Sequence, residues 1–258
     1  MFAKKITTAV SAALLAASAF AVVVPMSEAV AGPLNWMRGE RVQGSGHIVK
    51  QARDVAQFSG LALSIGAKVD VRLGNSENVS IEADDNIMPL LETVVEDGSL
   101  HIRPNKKNLQ LDSRNIRVVV TTRKLSNISV GGSGSVTAAE MRGEKVSFDV
   151  GGSGSIDVRE VKSERVAIAL GGSGSVKAGG KAERLEVSIG GSGNVKVGQL
   201  AVREASVSIG GSGDAVVNAS KELSVSVAGS GDVGYYGDPQ VSKTVLGSGG
   251  VKRLGSAP

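Results

Sequence analysis

The chain has 258 residues, no cysteine, 35 glycines, and only four Phe, two Tyr and one Trp. The lack of cysteine excludes disulfides, a lipidated N-terminal cysteine, thiol nucleophiles and cysteine-bound zinc. A net charge of +4, with 29 basic residues scattered among 25 acidic ones, gives neither a basic stripe nor an aromatic platform for nucleic acid.

Residues 1–31 read as an export signal. Lys4 and Lys5 precede the apolar, alanine-rich stretch Ile6–Pro25, and Ala29-Val30-Ala31 fits small-x-small cleavage before Gly32, with Ser27-Glu28-Ala29 as the alternative site. Removal of this segment leaves a net charge of +3, from 27 basic and 24 acidic residues. No second apolar span follows, so the mature chain is expected to be soluble, without a transmembrane segment. Its destination is the periplasm, the cell surface or the medium.

Residues 32–57 read as an entry segment and cap, containing Trp36 and an isolated Gly44-Ser45-Gly46. Residues 58–125 are rich in irregular strands. Leu61–Ile65, Lys68–Leu73, Asn78–Glu82, Leu100–Ile102 and Ile116–Val120 all alternate with period two. A helical turn is predicted within Asp84–Leu91, capped by Asp85 or Asn86. This part supplies less regular coils and covers the first strand edge.

Residues 126–258 repeat. Seven Gly-Ser-Gly triplets are centred on Ser133, Ser153, Ser173, Ser192, Ser212, Ser230 and Ser248, spaced 18–20 residues apart. Three residues before each serine stands Val130, Val150, Leu170, Ile189, Ile209, Val227 or Val245, and three after stands Val136, Ile156, Val176, Val195, Ala215, Val233 or Val251. Polar or small residues lie between, and Phe148 is the one large aromatic in the regular columns. Period-two alternation around glycine corners, at a repeat too short for a crossover helix, predicts an all-β parallel β-solenoid, a right-handed β-helix with one repeat per coil. About four apolar side chains per coil are expected to point inward. The corner glycines are expected to supply φ > 0. Returns such as Ala139–Gly143 are expected to be polar connections. Lys243 and Arg253 break the apolar columns in the last coil, beside a blunting segment Tyr235–Pro239.

Site chemistry is sparse. Asp214 and Asp232 follow glycine corners, yet their column holds Ser135, Ser155, Ser175 and Asn194 in other coils, which points to corner hydrogen bonding rather than calcium. His47 and His101 have no evident catalytic partner, and Asp149, Asp157, Lys177, Lys196 and Glu186 project outward singly or in mixed-sign company. No catalytic residue, cofactor site or metal site is assigned. The outer face of the longer strand is rich in hydroxyl groups. Ser188, Ser208, Ser226, Ser206 and Ser224 are the candidate partner-contact residues.

Arg53–Phe58, Asn78–Asn86, Asp97–Ile102, the serial Gly-Ser-Gly corners and Tyr236–Pro239, taken in that order, resemble the putative auto-transporter adhesin, head GIN domain family of exported bacterial proteins. The resemblance covers about residues 44–255. It implies a β-helical domain of the bacterial envelope with an adhesive role, and it transfers no catalytic residues. No membrane barrel is expected after Leu254–Pro258. The expected function is therefore an exported, non-enzymatic binding or structural module that meets a protein or glycan, or another copy through the solenoid side. The alternative is a periplasmic small-molecule or lipid carrier holding an apolar ligand between the front segment and the solenoid. A glycan-active enzyme ranks last.

Overall fold

Alternating apolar residues produce eighteen strands in the computed structural model, which describes residues 40–113 and 115–256. The export signal and Trp36 lie outside the described residues. In chain order the front strands are β1 (Arg41–Gln43), β2 (Ile48–Asp54), β3 (Gly60–Leu63), β4 (Lys68–Leu73), β5 (Asn78–Asp84), β6 (Leu91–Glu96), β7 (Ser99–Pro104), β8 (Gln110–Asp112) and β9 (Arg117–Thr122). The regular part follows with β10 (Asn127–Val130), β11 (Ser135–Val150), β12 (Ser155–Leu170), β13 (Ser175–Ile189), β14 (Asn194–Ile209), β15 (Asp214–Gly229), β16 (Val233–Tyr236), β17 (Gln240–Gly247) and β18 (Val251–Gly255).

From β10 onward every pairing is parallel, and each strand pairs with its counterpart one repeat later. The result is a parallel β-solenoid whose seven Gly-Ser-Gly corners bound about six turns. Inward columns stack like on like. Phe148 sits on Ile168, which sits on Val187, Val207 and Val225. Phe148 has no solvent exposure, so the period-two register holds.

Each coil buries more than the four side chains expected. In β12, Ile156, Val158, Val161, Val166, Ile168 and Leu170 are all at most 2% exposed. The segment Ala139–Gly143 is not a polar connection. It belongs to β11, and Met141 points inward with no exposure and faces Val161. One apolar residue between Glu140 and Arg142 suffices because the chain only touches the core there before turning.

The corner glycines also differ from expectation. Among them only Gly229 and Gly247 adopt positive φ, 147° and 133°. The others are required by stacking. Coil-to-coil hydrogen bonds run through the corner, with the Ser173 amide donating to the Gly152 carbonyl at 3.2 Å and the Ser192 amide to Gly172 at 3.2 Å. A Cβ on Gly152, Gly172, Gly191 or Gly211 would overlap the carbonyl oxygen of the corner before it.

In the front segment, chain order and spatial order part company. β3 and β4 form a coil beneath β10 and β11, but the layer on their other side is β7 and β9, which come later in the chain. β6, β5 and then β2 close that end with antiparallel pairings. The β6–β7 connection is a two-residue Asp97-Gly98 turn with φ of 48° and 72°, the left-handed pair that hairpins favour. The predicted helical turn is a single 3-10 turn, Met88–Leu90, with Ile87 at its N-cap and no side-chain cap. Asp85 and Asn86 are occupied elsewhere, with the Gly44–Gly46 segment.

Candidate functional site

The long strand of each coil lays two outward columns side by side on a parallel sheet. One runs Asp149, Ala169, Ser188, Ser208, Ser226, Thr244, and the other Ser147, Ala167, Glu186, Ser206, Ser224, Ser242, each residue opposite the next in register. Ser188, Ser208 and Ser226 are therefore neighbours on adjacent coils, as are Ser206 and Ser224, and all five are exposed. Inward Val187, Val207 and Val225 fix the strand between the two columns. Asp149, at the front of the face, has its carboxyl pushed above the usual aspartate range by burial, partly offset by Lys145.

Sequence reading missed the edge of this face. A groove of about 640 Å³ runs beside it over the strand backbone at Val166, Leu185 and Ala205, whose side chains are buried in the core, with Ala167, Ser206 and Ser224 on one side and a stack of charged side chains on the other. That wall reads Lys145, Arg165, Arg184, Glu204, Glu222, in register from coil to coil. The signal was present as a charged doublet at the same place in five successive repeats, outside the columns keyed to the glycine corner.

A second concavity of about 390 Å³ lies over the first halves of β11 to β14, where Gly179 leaves space among Asp70, Thr137, Asp157, Lys177 and Gln199. Asp157 and Lys177 approach to 3.8 Å there, and both are solvated.

The acidic corner residues bond backbone, as their column suggested. Asp214 Oδ1 accepts the Asp232 amide at 2.9 Å, and Asp232 Oδ1 accepts the Gly250 amide at 2.7 Å. Among the described residues, no group of three or more His, Asp or Glu side chains is placed to hold a metal ion. The two histidines fall on different elements. His101 is on β7 opposite Ala62, and the His47 carbonyl accepts the Asp85 amide.

The isolated Gly44-Ser45-Gly46 is not a coil corner but the fastening of the front strap. Asp84 is 1% exposed. It accepts the Gly46 amide at 2.7 Å and the Ser113 hydroxyl at 2.5 Å, and these bonds hold its carboxyl below the usual aspartate range. Ser45 donates its hydroxyl to Asp85 at 2.5 Å and its amide to Asn86 at 3.0 Å. Gly44 leaves no room for a Cβ against the Asp84 carboxylate. The seam between front segment and solenoid, where an apolar ligand was considered, is bridged by ladder hydrogen bonds. Leu61 and Leu63 pair with Ile128 and Val130 across it, and Val69 and Val71 with Val136 and Ala138.

The fold is a capped parallel solenoid with solvated side faces, on which Asp84, Asp214 and Asp232 bond backbone amides and other acidic residues join surface ion pairs. The chain belongs to the family described as putative auto-transporter adhesin, head GIN domain, whose model matches residues 57–239. No curated protein matches the chain. Solved structures with the same fold include a putative adhesin from Bacteroides fragilis, with TM-score 0.76 and 23% identity over 83% of this chain and 100% of that one. A putative lipid binding protein from Parabacteroides distasonis has TM-score 0.70 and 23% identity over 83% and 100%. A putative adhesin from Parabacteroides merdae has TM-score 0.64 and 19% identity over 84% and 100%. No helix among the described residues is long and apolar enough to cross a membrane.

Proposed function

We propose that this chain is an exported, non-enzymatic contact module of the bacterial envelope, in the periplasm or at the cell surface, that meets a protein or glycan through the hydroxyl-rich strand face. The observation that carries this reading is the register of Ser188, Ser208 and Ser226 beside Ser206 and Ser224. Short hydroxyl side chains on a rigid sheet lose little rotamer freedom on contact, unlike Lys or Glu. They offer donors and acceptors at the ~4.8 Å spacing of the strands. Family membership supports export and adhesion.

The test is a triple variant, Ser188→Lys, Ser208→Lys and Ser226→Lys, applied to intact cells and to an array of envelope glycans alongside the unaltered chain. Binding should fall sharply in the variant while its melting temperature, taken in moderate salt to screen the added charges, stays nearly the same. Equal binding by the two proteins would remove the serine face from consideration.

A second reading, a periplasmic carrier of a small apolar molecule or lipid, draws on the 640 Å³ groove with Ala167 in its lining and on the solved relative described as a putative lipid binding protein. Native mass spectrometry of the protein as purified tests it. A co-purifying lipid that Ala167→Glu displaces supports this reading, and its absence with a fluorescent fatty acid failing to bind rejects it.

A further inference from the structure

The charged wall of the groove groups its signs into two blocks. Lys145, Arg165 and Arg184 stand on three successive coils, and Glu204 and Glu222 on the next two. The residue before each carries the opposite charge: Glu144, Glu164, Glu183, then Arg203 and Lys221. The doublet thus reads acid-base on three coils and base-acid on two. All ten are charged side chains at least partly open to solvent.

Within the chain seven of the ten join exposed ion pairs, which are worth little each and leave the charges free to meet a partner. Arg165 reaches Glu144 at 3.1 Å and Lys221 reaches Glu204 at 3.0 Å, while Arg184–Glu204 and Arg203–Glu183 span 3.4 and 3.5 Å. A column arranged only to relieve repulsion between coils ~4.8 Å apart would alternate in sign from coil to coil. This one groups its signs into blocks, leaving Lys145, Arg165 and Arg184 stacked as like charges. Blocked signs that reverse once are what a two-fold axis needs.

We infer that this edge is the contact between two copies of the chain lying antiparallel, with the two-fold axis passing between Arg184 and Glu204. A rotation about that axis reverses the coil order and keeps each column facing itself. Arg184 then meets Glu204 of the second copy, Arg165 meets its Glu222, Glu183 its Arg203, and Glu164 its Lys221. Every facing pair is opposite in sign, each occurs twice by symmetry, and the block spans about 19 Å along the axis. An antiparallel partner of a chain with acid-base order throughout would face like charges at every coil, so the reversal selects this arrangement. The inference goes beyond the contact role of the serine face and stands without it.

The experiment is sedimentation of the full mature chain at low and high salt. The unaltered chain should show a monomer–dimer equilibrium that weakens as salt rises. Arg203→Glu with Glu204→Arg and Lys221→Glu with Glu222→Lys keeps composition and net charge and makes every doublet acid-base. Its self-association should weaken by about ten-fold or more, since facing like charges are strongly unfavourable. The reciprocal variant exchanges the doublets at 144–145, 164–165 and 183–184 and makes every doublet base-acid. It should also be monomeric alone, and mixing the two variants should restore a one-to-one dimer, which also shows that both are folded. An unaltered chain that stays monomeric at low salt throughout its soluble range, a dimer indifferent to the exchanges, or two folded variants that do not combine would each overturn the proposal.

Discussion

The carbonyl oxygen of Gly152 accepts the amide of Ser173 at 3.2 Å, and the same oxygen occupies the place a Cβ on Gly172 would need. The corner is thus a stacking device in which each coil's hydrogen bond excludes a side chain from the next. Gly172→Ala should destabilise the protein by ~1–3 kcal/mol through forced backbone displacement. Gly171, one residue earlier, has nothing within 4 Å of a built Cβ, so Gly171→Ala should change stability by less than about 0.5 kcal/mol. Paired denaturant melts check this, and equal effects would reject the stacking account.

Phe148 fills its column with no exposure, between Ile128 and Ile168 on the neighbouring coils. Phe148→Ala should cost about 3–5 kcal/mol by leaving a cavity. Phe148→Leu should cost much less, because most of the volume remains. The comparison is read from the midpoints of urea titrations at constant slope.

Arg53 closes the outer edge of β6. Its guanidinium donates to the Leu91 carbonyl at 2.8 Å, to Thr93 Oγ1 at 3.2 Å and to the Met88 carbonyl at 3.2 Å, and burial lowers its pKa from the usual arginine range. Arg53→Ala should cost about 1.5–3 kcal/mol, the range for hydrogen bonds to a charged group. Arg53→Lys should recover little, since an ammonium lacks the planar fork. Hydrogen exchange should quicken in Leu91–Glu96 before it does in β12 or β13.

Asp84 ties the front strap with a carboxyl held below the ordinary aspartate value of about 3.9. Its depressed pKa contributes stability that is complete above that ordinary value and is lost as pH falls through the lower, folded value. Asp84→Asn should lower the melting temperature at neutral pH, with the difference from the unaltered chain shrinking in strong acid. Asp149 acts in the opposite sense. Its carboxyl is raised by burial, so its charge opposes folding at neutral pH, and Asp149→Asn should raise the melting temperature there. Thermal melts across acid pH distinguish the two, and parallel curves for Asp84→Asn and the unaltered chain would refute the fastening role.

The columns around each corner were legible because period two and a fixed repeat place Val136 over Ile156 and Ser188 over Ser208 without knowledge of the turn between them. The serine face was readable for the same reason. Met141 was not, because a single apolar residue between Glu140 and Arg142 has no period to reveal it. The reason for glycine was hidden too, since the oxygen that excludes a Cβ from Gly172 belongs to a residue twenty positions earlier. Asp97-Gly98 between alternating runs was a hairpin signal that reading by repeats passed over. The charged doublets were visible in five successive coils, but their reversal at Arg203 acquires meaning only once the structure puts Arg184 and Glu204 on adjacent coils of one edge.

The layering of the front segment constrains how the chain can acquire its shape. The first coil to be synthesised, β3 with β4, is closed on one side by β7 and β9 and on the other by β10 and β11. None of these neighbours exists until the chain has extended well past it. The segment from Gly60 to Leu73 must therefore wait, unpaired, until β7 and β9 are made at residues 99–122, and its other side stays open until β10 and β11 follow, whereas each later coil docks on one already complete. The slow step of folding should be the closing of this front knot of long-range pairings, with the repeats then adding in series. A chain threaded through a membrane from its N-terminus would emerge as a long unfolded lead followed by rapid, ratchet-like winding.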